Sequence, residues 1–108
     1  MLEKFSIKNT NAIITGAAGL LGIQHIHTVL LNGGNVILID INKSKLNKRL
    51  KDLFKKFERK RIRSFCGDIT NEKFVKTVCQ KIIKQKQNID ILINNDDVYN
   101  KIDIRHKK

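Results

Sequence analysis

Three glycines, Gly16, Gly19 and Gly22, stand at i, i+3 and i+6 in the segment Thr15-Gly16-Ala17-Ala18-Gly19-Leu20-Leu21-Gly22. They fall where one periodicity gives way to another. The short apolar run Ala12 to Thr15 ahead of them reads as a buried strand. Behind them Leu20, Ile23, Ile26 and Leu30 recur at helical spacing, which predicts a helix over about Leu20 to Leu31, ended by Gly33-Gly34. A strand that enters a helix through glycines brings backbone close to whatever lies at the turn, where a Cβ would obstruct the approach. The free N–H groups and the positive end of the helix dipole then face an anion such as a pyrophosphate. The third glycine lets the helix pack closely on the strand. The other reading of the three is ordinary turn glycine, so the surrounding pattern has to decide.

That pattern repeats along the chain. Val36 to Ile39 reads as a second buried strand, closed by Asp40. Ser44 to Lys60 reads as a helix with the stripe Leu46, Leu50, Leu53, Phe54 and Phe57. Arg63 to Cys66 is a weaker third strand. Thr70 or Asn71 is placed to cap a third helix running to about Gln87, with Phe74, Val75, Val78 and Ile82 as its stripe. Ile89 to Ile93 is a fourth strand, ending in Asn94-Asn95. The order β-α-β-α-β-α-β predicts an α/β chain with a parallel sheet joined by right-handed crossovers. This is a partial Rossmann fold, half of a doubly wound sheet, with the strands in the order 3-2-1-4. Residues 1–95 form this half-domain and residues 96–108 a polar tail; the leading segment 1–11 is a polar entry that offers Phe5 and Ile7 for packing.

The length of 108 residues suits one domain with one core. The formal charge of +12 raises the question of a polyanion partner. The lysines are spread over Lys43 to Lys60 and Lys73 to Lys86 and mixed with Asn and Ile, which favours solvated helix faces over a nucleic-acid surface. A steep salt dependence of nucleic-acid binding would be the sign of the opposite. Cys66 and Cys79 have no metal-ligand spacing and read as reduced thiols, Cys66 buried at a strand end and Cys79 on the third helix. No apolar run approaches the ~18 residues of a membrane span, and the first residues lack the apolar stretch of a signal peptide. The expected location is the cytoplasm. His25 and His27, two apart on a helix, point to different faces, and His106 falls in the tail, so no metal site is expected. Asp96 and Asp97 alone are too few to hold a divalent cation.

Asp40 ends the second strand 18 residues past Gly22. A carboxylate at about that spacing accepts hydrogen bonds from the adenosine ribose and repels a 2′-phosphate. It leans toward NAD over NADP, with Lys43 nearby to soften the preference; the alternative is a loop or helix-capping aspartate. Ile14-Thr15-Gly16-Ala17-Ala18-Gly19-Leu20-Leu21-Gly22 resembles the nucleotide loop of the short-chain dehydrogenase/reductase family, with a glycine spacing nearer its extended branch. Gly67-Asp68-Ile69-Thr70 resembles the family's aspartate–aliphatic pair after the third strand. Asp90-Ile91-Leu92-Ile93-Asn94-Asn95 resembles the start of its fourth-strand motif, nearer the classical branch. The resemblance covers about residues 10 to 95. It implies that Asp68 holds the adenine amino group with the Ile69 backbone in support. It implies a dinucleotide site made of Gly16, Ala18, Gly19, Leu20, Leu21, Gly22, Asp40, Asp68, Ile69, Asn94 and Asn95.

The departures carry their own expectations. The family motif continues Asn-Asn-Ala-Gly, whereas this chain has Asn94-Asn95-Asp96-Asp97. Two carboxylates facing the pocket would repel a pyrophosphate. The family's catalytic serine and Tyr-x-x-x-Lys pair are not matched: the only tyrosine is Tyr99, and Asp103 stands four residues later. No catalytic residue is assigned. The reading is thus an NAD(P)-dependent oxidoreductase present as its cofactor-binding portion, cut before the catalytic residues and inactive alone. The alternatives are a dinucleotide-binding module without chemistry and a basic polyanion-binding protein. The fourth strand would leave an open apolar edge, suited to a second copy or to a complementing chain.

Overall fold

The computed structural model describes residues 7–85 and 87–95. The elements run β1 (Asn11–Thr15), α1 (Leu20–Leu31), β2 (Asn35–Asp40), α2 (Lys43–Leu53), β3 (Ile62–Cys66), α3 (Glu72–Lys84) and β4 (Ile91–Asn94). A 3₁₀ turn, Arg59–Arg61, leads into β3. All pairings are parallel, and the sheet order is β3-β2-β1-β4. The expected α/β class and 3-2-1-4 order are thus observed.

The near-continuous apolar runs of β1 and β2 follow from having helices on both faces. Side chains alternate along a strand. Ala12, Ile14, Val36 and Leu38 pack on one face with Ile26, Val29 and Leu30 of α1 and Leu46 and Leu53 of α2. Ile13, Ile37 and Ile39 pack on the other with Val75, Val78, Cys79 and Ile82 of α3. Neither face of the two central strands meets water, so no polar alternation is needed. Ile7 packs against the first cluster, as expected of the entry segment. Phe5 and the tail from Asp96 onward, with Tyr99 and His106, lie outside the described residues.

The second helix is shorter than its apolar stripe. It ends at Leu53, with Phe54 as its last half-turn residue. Phe57 still bonds back to the Leu53 carbonyl at 2.9 Å, and Glu58 then turns extended at φ −65°, ψ 136°. The helical spacing therefore runs through a tightening turn, and Phe57 packs against the core from there. The Arg61 guanidinium fixes this return by donating to the carbonyls of Leu30 and Gly34, at 2.6 and 2.7 Å, where α1 gives way to β2. The third helix ends at Lys84 rather than Gln87, and Asn71, not Thr70, caps it: the Asn71 Oδ1 accepts from the Phe74 amide at 3.1 Å.

Two burial expectations are corrected. Leu20 heads the apolar stripe of α1 yet is 88% exposed at the first residue of the helix; the buried positions are Gly22, Ile26, Val29 and Leu30. Cys66 is exposed, because β3 is an edge strand and the residue lies at its last position, where the thiol reaches the Ile41 carbonyl at 3.5 Å. Cys79 is buried on α3 as expected, and desolvation pushes its thiol pKa up. The fourth strand starts at Ile91, two residues later than expected. Asn88 and Asp90 serve as anchors instead: the Asp90 carboxylate accepts from the Asn11 amide at 2.8 Å, and the Asn11 side chain donates to the Asn88 carbonyl.

Candidate nucleotide-binding site

Parallel strands end on one edge of the sheet. The loops after Thr15, Asp40, Cys66 and Asn94 therefore share that edge, and the reversal of strand order lies between β1 and β4. In sheets of this kind ligands bind outside the strand ends at such a switch point.

The loop after β1 is built for close approach. Gly16 has φ +61°, a conformation that side chains rarely adopt. A Cβ on Gly22 would stand 2.7 Å from the Ala17 carbonyl oxygen and 2.8 Å from that of Gly16. The helix can therefore seat against the loop only without one. Gly19 caps α1 with no side-chain oxygen, and its first turn has no acidic residue. By contrast α2 and α3 are capped by Asn42 and Asn71. The first N–H groups of α1 thus have no carboxylate or side-chain cap competing for them, a donor set that fits an anion. Leu20 and Leu21 flank it, both exposed.

Asp40 reaches back to this loop. Its Oδ2 accepts from the Ala18 amide at 2.9 Å and its Oδ1 from the Asn42 amide at 2.8 Å. A carboxylate offers about four acceptor directions, so these two bonds do not exhaust it. Asp40 also lines a cleft of about 270 Å³ with Ile39, Ile41, Gly67, Asp68, Ile69 and Thr70. Asp68 is exposed, and the backbone N–H of Thr70, then its hydroxyl, hold the carboxyl below its ordinary pKa. The Ile69 side chain is buried in the α3 core, which leaves its backbone for the cleft.

Asn94 and Asn95 bind β1. The Thr15 hydroxyl donates to Asn94 Oδ1 at 2.8 Å, and the Asn95 side-chain amide donates to the Thr15 carbonyl at 3.2 Å. The structure thus brings Asp40, Asp68 and Ile69 around one cleft, and groups Asn94 and Asn95 with the end of β1 beside the glycine loop. Asp96 and Asp97 lie outside the described residues. Among the described residues no cluster of His, Cys, Asp or Glu could hold a metal ion, and no helix is long and apolar enough to cross a membrane. His25 and His27 do not meet: His27 packs edge-on against Phe57 with ring centroids 5.9 Å apart.

Two sets of contacts in this region escape a motif reading. Thr15 holds both asparagines. Arg49, on α2, donates to the carbonyls of Ala18 and Gly19, each at 3.0 Å. The signal for Arg49 was its position three residues after Leu46 and four before Leu53, beside the buried stripe.

The short chain dehydrogenase family profile matches residues 10–105. Mouse retinol dehydrogenase 13 is 32% identical over 93 residues, which are 86% of this chain and 28% of that protein. Rat 15-hydroxyprostaglandin dehydrogenase [NAD(+)] is 30% identical over 89 residues, covering 82% of this chain and 34% of the rat protein. The crystal structure of 2-keto-3-deoxy-D-gluconate dehydrogenase from Streptococcus agalactiae superposes with a TM-score of 0.76 at 25% identity, over 89% of this chain and 35% of that one. The chain spans about a third or less of the length of these relatives. With the parallel sheet, the glycine turn and this match over residues 10–105, the chain belongs to the short-chain dehydrogenase family.

Proposed function

We propose that residues 10–95 are the dinucleotide-binding portion of an NAD(P)-dependent oxidoreductase, with NAD preferred. The observation that carries this reading is that Asp40 serves both the glycine loop, through Ala18, and the adenine-side cleft shared with Asp68. In this reading the first turn, Leu20, Leu21 and Gly22, offers its N–H groups to the pyrophosphate, and Gly16, Ala18 and Gly19 line its approach, with the Ala18 and Gly19 N–H groups already bonded to Asp40 and Gly16. Asp40 takes the ribose hydroxyls, and a 2′-phosphate beside it would meet a carboxylate. Asp68 accepts from the adenine amino group, with the Ile69 backbone beside it. Asn94 and Asn95 border the nicotinamide half of the site. The chemistry that a bound nicotinamide dinucleotide supplies is hydride transfer.

The 108 residues hold no Tyr-x-x-x-Lys to pass a proton to or from a substrate oxygen. On this reading they bind cofactor and do not oxidise alcohols by themselves. Among the described residues β4 pairs only with β1, and its outer side is where a complementing segment or a second copy would pair.

The test is titration of the purified 108-residue chain with NADH, followed by nicotinamide fluorescence and thermal shift, with NADPH as the control. Saturable binding that favours NADH is expected. A folded chain that binds neither nucleotide would defeat the proposal. Equal affinity for the two would defeat the role given to Asp40.

A further inference from the structure

We infer that Arg49 is a positioning residue for the pyrophosphate: it sets the direction in which the first N–H of α1 points. The inference rests on the dinucleotide reading above and adds to it a residue outside every motif of the loop.

The argument is one of peptide planes. A trans peptide points its C=O and N–H in opposite directions, and the described chain has no cis bonds. The Ala18 carbonyl shares a plane with the Gly19 N–H, and the Gly19 carbonyl with the Leu20 N–H. Arg49 draws both carbonyls toward α2, using one terminal guanidinium nitrogen, with each bond at 3.0 Å. Both N–H groups must then point away from α2. The Gly19 N–H donates to the Gly16 carbonyl at 3.1 Å and closes the loop on itself. The Leu20 N–H, the first of the helix's orphan donors, is left aimed away from Arg49. Without Arg49, the Gly19–Leu20 plane would have no side chain holding its carbonyl.

The position of Arg49 supports a directed role. Its Nε is buried and has no hydrogen-bond partner, which is an unfavourable arrangement for a guanidinium. Among the described residues its hydrogen bonds are those to the two loop carbonyls, and no described carboxylate pairs with it although Asp52 lines the same groove between α1 and α2. The guanidinium is therefore held by the loop, and the loop by it.

The experiment compares wild type, R49K and R49M in the full chain. Circular dichroism and thermal melts report the fold, NADH and NADPH titrations the affinity, and amide ¹H–¹⁵N spectra of the ligand-free proteins the loop. R49M is expected to stay folded and to weaken NADH and NADPH binding by the same factor, on the order of tenfold, because the pyrophosphate is common to both. R49K, which keeps a donor, is expected to fall between. Amide shifts should concentrate at Ala18 to Leu21. If R49M fails to fold, R49K carries the test through the same readouts. A folded variant with wild-type affinity and unshifted loop amides overturns the inference, as does an affinity loss no larger than that explained by partial unfolding. Failure of the wild type itself to bind either nucleotide overturns the functional reading instead, and the loop amide shifts then still decide whether Arg49 orients the turn.

Discussion

The Asp40 carboxylate accepts a hydrogen bond from the Ala18 amide at 2.9 Å, so the residue that closes β2 also holds the loop that follows β1. Its second oxygen takes the Asn42 amide at the start of α2. Asp40 thus couples two βα turns before any ligand arrives. The substitution Asp40→Asn keeps one oxygen acceptor and removes the charge. It is expected to lower stability by about 1–2 kcal/mol, the scale of a weakened charge-assisted hydrogen bond. It should also bring the NADH and NADPH affinities closer together, because the repulsion of a 2′-phosphate is gone. Urea denaturation and paired nucleotide titrations measure the two effects separately. A variant with unchanged discrimination would exclude Asp40 as the ribose-side determinant.

The glycines of the loop separate fold from binding. Gly22→Ala places a methyl 2.7 to 2.9 Å from backbone atoms of Gly16 and Ala17, none of which can swing away as a side chain would. Overpacking of this kind costs about 1–3 kcal/mol. Gly19→Ala meets only the Gly16 carbonyl oxygen, at 3.3 Å, and Gly19 sits at φ −81°, which alanine adopts readily. Its stability should change little while its new methyl stands where a pyrophosphate would approach. The expected pattern is a lowered denaturation midpoint for Gly22→Ala, and a near-native midpoint with weakened NADH binding for Gly19→Ala. The reverse pattern would contradict this assignment of roles.

The order of elements and the sheet order were legible because β1 and β2 are buried on both faces and so appear as unbroken apolar runs. Helical periodicity misplaced Leu20. It puts a residue on a helix face but does not say whether anything packs over that position, and at the first residue of α1 the side chain is exposed while Gly22 in the same turn is buried. The Ser44 to Lys60 stripe outran its helix because Phe57 packs in phase from a tighter turn after Leu53. In the site, the glycine pattern and Asp40 are local signals that spacing exposes. Arg49 and Thr15 act through tertiary contacts to residues about 30 and 80 positions away; a stripe position or a loop motif marks the residue itself but not its partner.

Asp68 offers a pH test at the cleft. Its pKa lies below the ordinary carboxylate value because the Thr70 amide and hydroxyl donate to the ionised form. A carboxyl whose folded pKa is depressed contributes stability above its unfolded pKa, and that contribution is lost as pH falls through the folded value. The contribution is therefore present near neutrality and disappears only in the acid range below about 4. Thr70→Ala removes the hydroxyl and leaves the amide. It is expected to raise the Asp68 pKa part of the way toward its ordinary value, measured by NMR titration of the side-chain carboxyl. An unchanged pKa would mean that the hydroxyl does not bond to Asp68 in solution.

The two cysteines should report on different events. Cys66 is exposed at the end of the edge strand β3, while Cys79 is buried on the sheet-facing side of α3 with its thiol pKa raised by desolvation. The thiolate is the reactive form, so burial slows Cys79 twice, by access and by ionisation. With a thiol-reactive disulfide reagent near pH 8, one equivalent is expected to react quickly, and mass spectrometry should place it on Cys66. The second should react only as α3 opens from the sheet, at a rate that rises with added denaturant. Because the neighbouring Gly67 and Asp68 line the cleft, bound NADH should slow the fast phase if the adenine sits there. Protection of Cys66 without protection of Cys79 would locate the ligand at the β2–β3 end of the sheet, while equal slowing of both would indicate general stabilisation of the fold.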